Sequence, residues 1–282
     1  MSKGVLLIAR NNSEVDYVKQ AVFSAKRIKN YLNLPVSIIT DNVQYLNERY
    51  TDSMSVFDKV IELEKESSYT YKKYYDGSWT RKNLEFKNTS RSSVFDLTPY
   101  NETLLLDTDF IIANNLLSNC FTQAHDFLIY QDAFDLAGWR DVSEFNSISE
   151  VGPNFYWATA VFFRKTETNK VFFNLIKHIQ ENWLHYRNLY QIRTSVFRND
   201  HAFSIAIHMM NGFQAGDFAK PMPGTMYYSI DRDLLVEINN ENFLILLEKE
   251  NEAGKYFPTK IKNSNVHVMN KFSLGRVIDN DS

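Results

Sequence analysis

The chain has 282 residues, a formal net charge of −3, and 44% apolar, 15% aromatic and 23% charged residues. These are the proportions of a soluble globular protein large enough for a substantial core, and they exclude a strongly basic nucleic-acid coat or a long charged tail. The single Cys120 forms no internal disulfide, which points to a reducing, cytoplasmic setting, and no apolar run approaches the ~18 residues of a signal anchor or membrane span.

In chain order, Val5-Leu6-Leu7-Ile8-Ala9 reads as a buried strand followed by the loop Arg10-Asn11-Asn12-Ser13. Ser13 and Asp16 form a capping-box pattern, and Val15, Val18, Val22, Ala25 and Ile28 recur at helical spacing, which predicts a helix to about Asn33. Pro35 stops it, and Val36 to Thr40 is a second β-branched strand ending at Asp41. The β-α-β order specifies parallel strands with a right-handed crossover. A strand-end Asp here either accepts hydrogen bonds from a nucleoside or is a surface turn residue. The first turn has no Gly-rich phosphate loop, so dinucleotide-binding enzymes and P-loop ATPases are disfavoured.

Val56 to Leu63 holds a short strand. From Ser67 to Arg91 the aromatics Tyr69, Tyr71, Tyr74, Tyr75 and Trp79 alternate with six basic residues against only Asp76 and Glu85. That segment is either a surface loop or lid, its aromatics packed back on the body, or a surface that meets substrate directly. Next comes Leu104-Leu105-Leu106-Asp107-Thr108-Asp109-Phe110-Ile111-Ile112, a buried strand that breaks at two carboxylates. Crowded carboxylates repel unless a positive charge lies between them. Oxygen ligands favour a hard cation, Mg²⁺ or Mn²⁺, although Asp also simply forms turns.

Phe127 to Tyr130 is a further strand, Leu136 to Pro153 a loop, and Phe155 to Arg164 an aromatic strand with Ala158-Thr159-Ala160 at its centre. Val171 to Trp183 forms an amphipathic helix, and His185 to Arg198 a second basic aromatic segment with three arginines and no acid. Asn199 is the expected cap of a helix over Ala202 to Met209. Asp200 is favoured in its first turn by the helix dipole alone. The remainder, from Phe213 on, reads as loop-rich with a short strand at Asn265 to Met269.

Four features together resemble the nucleotide-diphospho-sugar transferases of the GT-A fold, particularly the glycosyltransferase family 8-like group. They are Ala9-Arg10-Asn11, the Thr98-Pro99-Tyr100-Asn101-Glu102-Thr103 lead into Asp107-Thr108-Asp109, Asn199-Asp200-His201 and the late His267. The resemblance implies a single α/β domain over 1–282: a Rossmann-like α/β/α sandwich with a mostly parallel sheet, a nucleotide-binding half to about 115, and an acceptor half with an irregular C-terminal lobe. It implies that Asp107, Asp109 and His267 hold Mn²⁺ or Mg²⁺. Ala9, Asn11 and Asp41 would line the nucleoside pocket. Arg91, Thr108 and Lys271 would bind the donor, with Lys271 two positions earlier than the family places its lysine. Asp132 and Asp200 would match acids near the transferred sugar.

The activity implied is metal-dependent transfer from a nucleotide-diphosphate donor, UDP-sugar favoured, with retention, to a glycan, protein or small-molecule hydroxyl. The two basic aromatic segments, 67–91 and 185–198, suggest an alternative acceptor, a hydroxymethylated base of phage DNA in an infected bacterium's cytoplasm, since stacking aromatics beside phosphate-binding cations suit reaching or flipping a base. Ala158-Thr159-Ala160 departs from the Asn-Ser-Gly usual on the family's acceptor strand. Two rivals lie outside the transferases: a nucleotidyltransferase, which calls for the Gly-rich loop absent here, and a non-catalytic nucleotide-sugar-binding module.

Overall fold

The apolar runs become strands of one central sheet. The structure, a computed structural model, describes residues 2–64, 70–139, 145–150 and 152–280. β1 (Lys3–Ala9), α1 (Tyr17–Leu32) and β2 (Val36–Thr40) form the expected unit, with β1 and β2 parallel and Leu7 opposite Ile38. α2 (Val43–Arg49) and a 3₁₀ turn lead to β3 (Lys59–Glu62), parallel to β2. α1 begins later than the Ser13 pattern suggests. Asp16 is the cap, accepting from the Lys19 amide at 2.9 Å, while Asn12 turns the preceding loop through the Glu14 and Val15 amides. Asn33, in the left-handed conformation, ends α1.

The expected loop from Ser67 is instead a hairpin, β4 (Thr70–Asp76) and β5 (Thr80–Phe86), turned at Gly77 with φ +68°; Tyr69 lies outside the described residues. Asp76-Gly77 is a turn pair that favours positive φ, so the sequence carried this signal. A further 3₁₀ turn and α3 (Val94–Leu97) lead to β6 (Glu102–Leu106), parallel to β1 with Leu106 opposite Leu7. β7 (Phe110–Ile111) follows Asp109, then β8 (Phe127–Tyr130), β9 (Ala133–Asp135) and β10 (Trp157–Arg164). Of the loop expected from Leu136 to Pro153, residues 140–144 and 151 lie outside the described residues.

α4 (Glu167–Glu181), α5 (Trp183–Leu189) and α6 (Asn199–Met210) precede β11 (Lys220–Pro221). Trp183 opens α5 rather than closing α4. Asn199 is not the cap: Arg198 holds that position without a side-chain capping bond, and the Asn199 side chain donates through Nδ2 to the Asn88 carbonyl at 3.0 Å. The C-terminal region is more regular than its sequence suggests. β12 (Met226–Ser229) leads to a meander of β13 (Leu234–Asn239), β14 (Asn242–Glu248) and β15 (Tyr256–Lys262), then β16 (Val266–Val268) and α7 (Lys271–Asn280).

The seven-stranded sheet runs β11-β8-β10-β6-β1-β2-β3. Only β10 is antiparallel to its neighbours, so the fold is mixed α/β with a mostly parallel central sheet. α1 packs on β1 and β2 with α7 beside it, and α4 gathers α3 and α6 near β10. Much of the aromatic content is spent on this core: Phe172 meets Phe127, Phe173 and Phe203 with ring centroids 4.6 to 5.6 Å apart. A smaller core joins the meander to α7 through Leu235, Phe243, Ile245, Leu274 and Ile278.

Asp233, fully buried, fastens that meander by accepting from the Ile230 and Glu248 amides at 2.9 and 3.0 Å. Burial, with Asp135 and Glu248 nearby, outweighs those bonds and pushes its carboxyl up to about 7. The folded value lies above the unfolded one near 4, so stability is full below that and falls as pH rises towards 7. Urea midpoints at pH 5 and pH 8 should show wild type losing about 2 kcal/mol more across this interval than Asp233→Asn, whatever the variant's absolute stability.

Candidate active site

Leu104, Leu105 and Leu106 are buried, and the chain then turns through Asp107-Thr108-Asp109 at the C-terminal end of β6, the edge where open α/β sheets bind ligands. This turn is pinned by its backbone. The Asp107 amide donates to the Thr159 carbonyl at 2.9 Å, the Thr108 carbonyl accepts from Ser24 on α1 at 2.6 Å, and the Asp109 carbonyl accepts from the Val268 amide at 2.9 Å.

The last of these bonds explains how His267 arrives. β16 pairs antiparallel to β7 with His267 opposite Phe110, which sets the imidazole against Asp109, Nε2 to Oδ2 at 3.0 Å. Ligand atoms of Asp107, Asp109 and His267 lie within 4.8 Å of one another. Lys271, in the first turn of α7, donates to Asp109 Oδ2, and Arg91 donates to both Asp107 Oδ1 and the Ala158 carbonyl.

These contacts divide the two carboxylates electrostatically. Burial alone would raise Asp109, but Lys271 and His267 reverse it and hold the group far below the usual carboxylate range. For Asp107 burial wins over Arg91, with the neighbouring Asp109 adding to it, and its value is raised. Lys271 is raised despite burial because Asp109 faces it.

Around this cluster opens a cavity of about 550 Å³, walled by the β4–β5 hairpin, the end of β6, the start of β10, residues 194–200 and the β16–α7 junction. β10 slips register against β8 between Trp157 and Val161. The irregularity frees Ala158 from the ladder: its amide donates to Asp200 Oδ1 at 2.9 Å and its carbonyl takes Arg91. The segment Ala158-Thr159-Ala160 thus supplies backbone to the site. Asp200 also meets Arg198 at 3.2 Å, and that guanidinium with the Ala158 amide overcomes burial to lower its value. His201 sits behind it, stacked on Trp183, pushed down to about 4 by burial and Arg198.

At the nucleoside end the neighbours of the expected residues face the cavity. Ile8 and Arg10 line it, whereas Ala9 and Asn11 do not, as alternation along a strand requires. Asn11 is used in shaping the β1–α1 loop, donating to Asp16 at 3.1 Å and accepting from the Val18 amide at 2.9 Å. Asp41 is buried and lies behind the wall. It holds Arg10 at 3.2 Å, with Lys87 at 3.9 Å, and both cations line the cavity, as does Ser90, an acceptor for Arg10 at 3.1 Å. Thr108 lines the cavity with its hydroxyl turned to Gln20, and Asp132 lies exposed after β8, outside the wall.

Asn270, which carries no local sequence signal, places Lys271. Its side chain caps α7 through the Ser273 amide at 3.0 Å and donates to the Asp231 and Asp233 carbonyls at 2.7 and 2.8 Å.

No protein-family model matches the chain, and no curated protein matches it either. Among solved structures, the chain is similar to the glycosyltransferase GlyE of Streptococcus pneumoniae TIGR4 at 11% identity, with 79% of this chain and 45% of that one covered and a TM-score of 0.43. The galactosyltransferase LgtC, solved with donor and acceptor sugar analogues, gives 9% identity over 72% of this chain and 70% of its own, with a TM-score of 0.45. Mouse xyloside xylosyltransferase 1 gives 11% over 79% and 85%, with a TM-score of 0.44. The chain therefore spans less than half the length of GlyE, and likenesses at this level of identity assign no activity.

Removing one partner of a buried ion pair leaves the other charge uncompensated. Lys271→Met should therefore cost about 3 kcal/mol in urea unfolding at pH 7. Lys271→Met combined with Asp109→Asn should recover a large part of that loss; equal losses in both would mean that Lys271 acts by packing alone.

Proposed function

We propose that the chain is a metal-dependent glycosyltransferase acting on a nucleotide-diphosphate sugar, with UDP-sugar the favoured donor. The observation that carries this reading is the convergence of Asp107, Asp109 and His267 on one point of the cavity wall, with Arg91 and Lys271 on the same carboxylates. Two carboxylates and one imidazole suit Mn²⁺, and Mg²⁺ less well because of the nitrogen. Bound there, the ion would supply Lewis-acid stabilisation to a leaving diphosphate.

The remaining work falls to the chain's own side chains. Arg91 and Lys271 add fixed positive charge where the phosphate charge grows. Arg10, Lys87 and Ser90 line the end that the nucleoside would occupy, with Asp41 acting behind them by fixing Arg10. In transfer, the acceptor oxygen bonds to the anomeric carbon, the bond from that carbon to the phosphate oxygen breaks, and its electron pair leaves with the nucleoside diphosphate. Asp200, ionised and in the wall, is placed to stabilise positive charge on the sugar or to take the acceptor proton. Asp132 lacks that position. The family resemblance favours retention.

The acceptor is a glycan, protein or small-molecule hydroxyl. Both basic aromatic segments that motivated the DNA reading contribute to the cavity wall, through Tyr71, Lys72 and Tyr74 in one and Thr194, Val196 and Arg198 in the other. Among the described residues no helix is long and apolar enough to cross a membrane.

UDP with Mn²⁺ at a hundred times its dissociation constant should stabilise the protein by about 2.7 kcal/mol in thermal unfolding. Asp107→Asn and Asp109→Asn should each lose most of that gain, and nucleotide sugars should be hydrolysed slowly by wild type alone. Binding without turnover of any donor would make the chain a nucleotide-sugar-binding module; no binding of any nucleotide diphosphate would end the proposal.

A further inference from the structure

The cations of the cavity wall are not all alike. Arg91, Arg198 and Lys271 each hold an acid that also lines the cavity, Arg10 holds Asp41, and Lys87 lies 3.9 Å from Asp41 and 4.0 Å from Glu85. Lys72 and Lys73 on β4 have no such partner: among the described residues no carboxylate lies within 4.0 Å of either, although both line the cavity. Lys72 rests over the rings of Tyr74 and Phe86, 5.5 and 5.4 Å from their centroids. Such contacts attract a cation without neutralising it. Burial lowers its pKa; Asp231 opposes that most strongly, while Lys271 and Arg198 add to it.

The cavity wall also holds two hydrogen-bonding atoms without partners: Trp157 Nε1, in a side chain only 2% exposed, and Asn199 Oδ1. A buried donor or acceptor left unpaired is costly unless a ligand satisfies it.

If the donor is a nucleotide-diphosphate sugar held with a divalent ion, as the proposed function has it, the two negative charges of the diphosphate and the two positive charges of the ion cancel. The lysines of β4 stay uncompensated after the donor is in place. We propose that the acceptor is a small phosphate-bearing alcohol, its phosphate held by Lys72 at the hairpin side and its hydroxyl directed towards the donor beside Asp200. A polymeric nucleic acid fits less well. Its backbone calls for an extended basic surface, whereas here the unmatched cations are gathered at a cavity in a chain of net charge −3.

The test is calorimetric titration of inorganic phosphate into protein saturated with UDP and Mg²⁺, which occupy the diphosphate position beforehand. Phosphate should bind with a millimolar or lower dissociation constant. Lys72→Met should weaken it at least tenfold, and Lys72→Arg should keep it within about threefold. Failure of UDP to bind in the first step would count against the proposed function itself. UDP binding with no phosphate binding, or with phosphate binding unchanged in Lys72→Met, would overturn the present inference alone. A third titration, with a 20-base-pair DNA duplex, should show no Lys72-dependent binding at 0.15 M salt; micromolar binding lost in Lys72→Met would overturn the small-acceptor assignment in favour of nucleic acid.

Discussion

Everything about this molecule's candidate site depends on one buried carboxylate. Asp109 is 3% exposed at the end of the central strand β6, and an isolated carboxylate there would be neutralised or would unfold its surroundings. Its two counter-groups come from 158 and 162 residues away, His267 from β16 and Lys271 from α7. The meander, β16 and α7 are thus the means by which the chain returns to the mouth of its own sheet. Asn270 sharpens this return, because one side chain both starts α7 and ties it to the turn after β12.

The second constraint is backbone accounting. A strand that faces a ligand must leave some amides and carbonyls outside the ladder, and each must find another partner. β10 meets this with an irregularity at three small residues, and two charged side chains, Asp200 and Arg91, complete what the ladder gives up. Side chains at 158 and 160 larger than methyl would crowd the place where the carboxylates of β6 need access. The departure from Asn-Ser-Gly at this position therefore keeps the small size and gives up the Asn side chain, while Thr159 keeps a hydroxyl in the cavity wall.

How much of this the sequence disclosed follows from which interactions are local. The strands β1, β2, β6, β8 and β10 were legible because a strand buried on both faces needs an unbroken apolar run, and Asp107-Thr108-Asp109 was legible as the interruption of one. Alternation was the signal misjudged beside them: the wall takes Ile8 and Arg10, and Ala9 and Asn11 point away. The hairpin was concealed because its strands carry lysine and tyrosine, which suit a cavity rim, so that only Asp76-Gly77 betrayed the turn. The meander was concealed by strands whose outer faces are polar, which breaks up the apolar runs. Asp132 and Asp200 are both acids near a strand or helix end; only long-range packing separates the one left in solvent from the one set in the wall.

The distribution of charge ties these observations together. Around Asp107, Asp109 and Asp41 every cation already has an acid, so a diphosphate and metal of the kind proposed would enter there by exchange of partners, leaving the total nearly balanced. At the hairpin end Lys72 rests on aromatic rings with no carboxylate within ion-pair distance among the described residues, so an anion entering there need not displace one. The chain's net charge of −3 works in the same direction, because it weakly disfavours polyanions.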